Sequence, residues 1–165
     1  YNPSGKLPVT YYKSINDLPS FEDYRMKGRT YRYFEGDVLY PFGYGLSYTK
    51  FDFSLPKLEK TNISKTEKTR VNITVSNNGE FDGETVVQLY INDIEASVPN
   101  PLKTLRKFRK VFLKKGESKN ITFDISPEDL TIFDNNGKPF VESGTFEVFV
   151  GENSETTNKV ILTVQ

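Results

Sequence analysis

Val71-Asn72-Ile73-Thr74-Val75-Ser76, closed by Asn77-Asn78-Gly79, decides how this chain folds. β-Branched and polar residues alternate there at period two until a run of turn-forming residues stops them. A half-buried strand ending in a tight turn is the reading. The next run repeats the pattern: Thr85, Val87, Leu89 and Ile91 face one way, and Val86, Gln88 and Tyr90 the other. Upstream, Phe51, Phe53 and Leu55 alternate before Pro56 as a first strand. Downstream, a basic run carries Phe108, Val111, Phe112 and Leu113, with both phenylalanines expected in the core. Lys115-Gly116 turns that run into Asn120 to Ile125. Ser126-Pro127-Glu128-Asp129-Leu130 combines a cap, a first-turn proline and acids, which predicts a helical turn. Thr131 to Phe133 leads into the turn residues Asp134 to Gly137. Thr145 to Val150 and Val160 to Val164 complete the set. About seven short strands separated by Gly, Asn and Pro predict an all-β fold, an antiparallel β-sandwich over residues 51–165.

The first fifty residues differ. Leu39-Tyr40-Pro41-Phe42-Gly43-Tyr44-Gly45-Leu46-Ser47-Tyr48-Thr49 interleaves aromatic residues with Gly and Pro, so it is neither a helix nor a central strand. Its large side chains need something to bury against, and its phenols need hydrogen-bond partners. We read it as a joint between two packed units. Before it, Val9 to Tyr12 suits a short strand and Arg29 to Phe34 has strong β character. Little else is regular, and nine of the ten tyrosines lie at or before Tyr48. Such a tail is expected to complete a larger body, and to be loosely held from Tyr1 to about Gly28 when that body is missing.

Composition excludes several chemistries. Twenty-two basic residues balance 22 acidic ones, so no global charge favours nucleic acid or an anionic membrane. No apolar run is long enough to span a bilayer. Histidine and cysteine are absent, which removes disulfides, thiolate nucleophiles and the Ser-His-Asp arrangement, and leaves no metal or cofactor site to propose.

Four patterns could still carry chemistry. Glu35 and Asp37 are spaced like a carboxylate pair, but Gly36 between them favours a solvated turn. Lys103, Arg106, Lys107, Arg109, Lys110, Lys114 and Lys115 form a basic stretch that reads as a solvated, aggregation-blunting strand. Asn62, Asn72 and Asn120 each open a glycosylation sequon, a pattern that arises easily in threonine-rich strands. Lys27 to Phe34 clusters cations with aromatic rings. Arg29, Tyr31, Arg32 and Tyr33 could stack on and fix a sugar at the rim of a cleft, or serve as cation–π packing within an interface.

These residues also carry a resemblance. Asn2 to Thr10, Tyr31-Arg32-Tyr33-Phe34 and the run from Leu39 to Thr49 are similar to the end of the second domain and the junction of glycoside hydrolase family 3 enzymes. Phe51 onward, notably Leu102 to Leu113 and Gly144 to Val148, resembles the fibronectin type III-like module that closes many members. The resemblance implies residues 1–50 as the tail of an α/β-sandwich domain plus junction. Residues 51–165 become an immunoglobulin/fibronectin type III-like β-sandwich. Tyr40, Pro41, Phe42, Gly43, Tyr44, Gly45, Leu46, Ser47 and Tyr48 form the domain junction. It implies a parent β-glucosidase or β-xylosidase acting by a retaining, two-carboxylate mechanism, secreted or periplasmic, whose catalytic residues lie upstream of Tyr1. The partners implied are those upstream domains and the parent's oligosaccharide substrate. An autonomous carbohydrate-binding or homodimerisation module is the alternative.

Overall fold

The computed structural model describes every residue from Tyr1 to Gln165. Strands β1 (Tyr11–Tyr12) and β2 (Val38–Tyr40) pair with each other in the tail. The body contains β3 (Phe51–Phe53), β4 (Lys57–Leu58), β5 (Asn62–Ile63), β6 (Thr69–Asn77) and β7 (Gly83–Asp93). It continues through β8 (Thr104–Leu113), β9 (Ser118–Ile125), β10 (Ile132–Phe133), β11 (Pro139–Phe140), β12 (Gly144–Gly151) and β13 (Lys159–Val164).

Two sheets face each other. One runs β5-β13-β12-β7-β8; in the other, β6 is flanked by β9 on one side and by β3 and β4 on the other. Every pairing is antiparallel except the short one between β13 and β5. The period-two pattern explains the core. Val71, Ile73 and Val75 meet Val87, Leu89, Ile91, Ile121, Phe123, Val148 and Leu162 in one cluster of 19 buried residues. Area removed from water, at roughly 25 cal/mol per Å², is what holds the two sheets together. Ser126 and Asp129 cap the 3-10 turn Pro127–Leu130 reciprocally, as the sequence predicts. Gly116 and Gly137 take positive φ in the two turns assigned to them.

Three local expectations are corrected. The first strand stops at Phe53: Leu55 is exposed, and Pro56 splits the edge so that β3 and β4 pair with β6 separately. Phe108 and Phe112 lie outside the core, at 69% and 46% exposure. Val111 and Leu113 own the inner parity of β8, whereas Phe108 and Phe112 sit opposite Gln88 and Glu84 on the outer face. Thr30–Tyr33 is one helical turn rather than a strand, entered at Thr30 with φ 56°. Tyr12 Oη accepts from the Thr30 amide at 2.6 Å, and Phe34 packs edge-on against Tyr12 at 4.8 Å. Tertiary contacts override β propensity there.

Candidate functional site: the junction of tail and sandwich

The tail lies on the outer face of the five-stranded sheet, the face to which β7 turns Gln88 and Tyr90. Left bare, that face would expose a phenol ring and a carboxamide; both are instead buried. Gly43 passes directly over Gln88 with φ +82°, and a Cβ there would come within 2.3 Å of Gln88 Oε1. Glycine is required twice over, by conformation and by space. The Gln88 Nε2 group donates to the Gly43 carbonyl at 3.2 Å and also to the Glu152 carbonyl, while Oε1 accepts from Tyr90 Oη at 2.6 Å. Burial holds the Tyr90 phenol far above its ordinary range, so it is always a donor here. One carboxamide thus joins tail, β7 and the loop after β12.

Other contacts extend the clasp. The Ser154 amide donates to the Phe42 carbonyl, and Leu7 exchanges backbone hydrogen bonds with Gly43 and Tyr44 at 2.8 Å each. Asn2 accepts from the Tyr48 amide at 2.8 Å. Buried Thr49 donates to Asn77, which in turn donates to the Phe81 and Leu113 carbonyls. Lys103 Nζ lies 4.1 Å from the Phe149 ring centroid and donates to the Ser154 and Thr156 carbonyls, fastening the same loop. Burial lowers its pKa. The tail is therefore tied from Asn2 to Leu7 as well as at the junction, where the sequence suggests a loose end up to Gly28.

The four rim candidates separate. Tyr31 stacks on Phe42 at 4.3 Å, meets Tyr90 edge-on at 5.9 Å, and accepts from the Leu105 amide through its hydroxyl at 3.1 Å. Arg32 accepts from the Leu102 amide through its carbonyl at 2.7 Å, and its guanidinium lies over Tyr33 at 5.9 Å. Arg29 reaches the carbonyls of Ser20, Asp23 and Arg25 and braces a loop on which Ile15, Phe21 and Tyr24 stand exposed. The junction residues also divide. Pro41 and Gly43 are buried, Phe42, Tyr44 and Gly45 half-buried, and Tyr40, Leu46, Ser47 and Tyr48 exposed. On that outer side Pro3, Leu7, Tyr11, Tyr40, Tyr44 and Leu46 line an open groove of about 660 Å³.

The remaining patterns are accounted for locally. Asp37 pairs with Lys13 at 2.9 Å, which holds its carboxyl below the usual range, and it stands exposed. Lys107, Lys110 and Lys115 pair with Asp129, Glu84 and Glu80 at 3.0, 2.6 and 2.6 Å. Asn72 and Asn120 accept from Thr122 and Thr74 across the β6–β9 ladder. Sequence reasoning missed Gln88 as the hub. Its outward parity was legible, but a partner 45 residues away was not.

The fold and site define a two-sheet β-sandwich module that clasps an aromatic tail. Residues 1–48 match the glycosyl hydrolase family 3 C-terminal domain, and residues 85–154 match the fibronectin type III-like domain. The chain belongs to glycoside hydrolase family 3, as sequence of the C-terminal part of those enzymes. It is 39% identical to a periplasmic beta-glucosidase of Salmonella typhimurium, over 93% of this chain and 22% of that protein. It is 37% identical to a beta-xylosidase of Formosa agariphila, over 99% of this chain and 24% of the relative. A solved β-glucosidase from Erythrobacter marinus superposes with a TM-score of 0.86 at 40% identity, covering 99% of this chain and 22% of that one. The chain thus spans about a fifth to a quarter of the length of these relatives.

Proposed function

We propose that this chain is the non-catalytic closing module of a β-glycosidase that releases terminal β-linked glucose or xylose. Its work is to hold the junction segment in one shape and to seat it against the remainder of the preceding α/β-sandwich domain. Residues 1–50 belong to that domain in this reading, and residues 51–165 are the sandwich that anchors them. The observation that carries it is the two-sidedness of the junction. Its inner side is committed to Gln88 and Tyr31, while Leu7, Tyr11, Tyr40, Tyr44 and Leu46 line the groove that opens to solvent on its outer side. A contiguous apolar patch of this kind marks a surface that is covered in use. Tyr31 and Arg32 are occupied by the sandwich, so their contribution to a substrate rim is to position the turn Thr30–Tyr33. Arg29 does the same for the exposed loop that it braces.

A chimera tests this reading. The Salmonella β-glucosidase cut where its sequence aligns with Tyr1, and continued with this chain, should hydrolyse an aryl β-glucoside, whereas this chain alone should not. Tyr40→Asp with Leu46→Asp should depress the chimera's activity at least tenfold while leaving the isolated chain folded. A folded chimera with no activity, or one indifferent to both aspartates, would refute the seating role.

A further inference from the structure

At the far end of β7, away from the junction, three carboxylates meet where the loop 94–97 leaves the sheet. Asp93 is the last residue of β7, opposite Phe146 of β12, and only 6% exposed. Its Oδ1 accepts from the Glu95 amide at 3.2 Å; its Oδ2 is buried with no hydrogen-bond donor. Glu95 Oε2 accepts from the Thr145 amide at 3.1 Å, and Glu142 Oε1 from the Ser97 amide at 2.8 Å. The loop is thus pinned at both ends by carboxylates, Asp93 and Glu142, with Glu95 bridging it to β12. The charged groups acting on the Asp93 carboxyl are Glu142 and Glu95, each held by a backbone amide. No lysine or arginine is paired with any of the three.

A buried carboxylate oxygen with no donor, under the charge of two other carboxylates, is costly unless a proton neutralises it. We propose that Asp93 and Glu142 share a single proton, and that this proton is a latch holding the loop 94–97 against β12. With the proton in place, Asp93 donates to Glu142 and each carboxyl keeps its second oxygen on a loop amide. With both ionised, the two repel at the base of the loop, and the Ser97 and Glu95 amides are released. Burial first, then the charges of Glu142 and Glu95, push the Asp93 carboxyl up to about 6, against the opposing pull of the Glu95 amide. The folded value lies above the unfolded one, near 4. The latch therefore stabilises fully below about pH 4 and is lost as pH rises through about 6.

Amide shifts of Glu95, Ser97 and Thr145 in the 15N-labelled 165-residue chain, followed from pH 4 to 8, test this. All three should move together with a midpoint near pH 6. Glu142→Gln should lower that midpoint by at least about one pH unit. Asp93→Asn, which carries its own donor, should remove the transition while the amides of Val87 and Val148 keep their positions. The latch is wrong if the wild-type midpoint lies near the ordinary carboxylate value, if the transition survives in Asp93→Asn, or if Glu142→Gln leaves it unmoved. It is also wrong if millimolar Ca²⁺ at pH 7 reproduces the low-pH shifts saturably, because the site would then hold a cation and not a proton.

Discussion

The carboxamide of Gln88 and the carbonyl of Gly43, 45 residues apart in sequence, are joined by one hydrogen bond, and the tail is seated on the sheet around that bond. Gln88 also serves Glu152 and Tyr90, so it satisfies two backbone acceptors and one phenol in a buried setting. Gln88→Leu fills nearly the same volume but leaves all three partners unmet. We expect a loss of roughly 2–4 kcal/mol in urea unfolding. A loss below about 0.5 kcal/mol would mean that water reaches these groups freely.

Gly43→Ala should act locally. The positive φ and the Gln88 side chain both oppose a methyl group at this position. Exchange of the Gly43, Tyr44 and Leu7 amides should accelerate about 30-fold, equivalent to roughly 2 kcal/mol of local opening, while core strands keep their protection. Uniform acceleration throughout β6 and β7 would show instead that tail and sandwich unfold as one unit.

Tyr31 offers a graded comparison. Tyr31→Phe keeps the stack on Phe42 but loses the acceptor for the Leu105 amide, a cost of about 1 kcal/mol. Tyr31→Ala removes the ring between Phe42 and Tyr90 as well and should cost roughly 3 kcal/mol. Equal losses in calorimetry would place the whole effect in the hydroxyl and dismiss the stack.

Phe108 and Phe112 invite the opposite result. Both stand on the outer face, so Phe108→Ser with Phe112→Ser should change stability by no more than about 1 kcal/mol and should raise solubility. A loss beyond about 2 kcal/mol would return them to the core.

Hydrogen exchange on the intact chain should find the slowest amides in Val71–Val75, Val87–Ile91 and Phe146–Val150, where both strand neighbours are present or the side chains are fully buried. Leu7, Gly43 and Tyr44 should be intermediate, and the exposed loop from Ile15 to Met26 mostly fast. Fast exchange at Leu7 would contradict its two backbone bonds to the junction.

The sandwich was legible because its information is local. Val71, Ile73 and Val75 declare their face by alternation, and Gly116, Gly137 and Ser126 mark turns by chemistry that needs no distant partner. Where the reading failed, the deciding atoms lie far away in sequence. Phe108 and Phe112 read as core by composition, yet Val111 and Leu113 hold the inner parity of the same strand. Arg29 to Phe34 reads as a strand until Tyr12 accepts from the Thr30 amide and turns it into a helix. Gln88 looked like an ordinary outward polar residue, since nothing near it announces the glycine that crosses above it.

The Gln88–Gly43 bond also sets where relatives can be recombined. A crossover at Thr49, where the sequence changes character, would pair one enzyme's junction with another's β7. Asn2 and Tyr48, Leu7 and Gly43, Thr49 and Asn77 would then each have to match a foreign partner. Exchanging the chain from Asn2 onward transfers the clasp intact. A crossover that keeps these bonds therefore moves the sandwich together with the tail residues it ties, from Asn2 to Thr49.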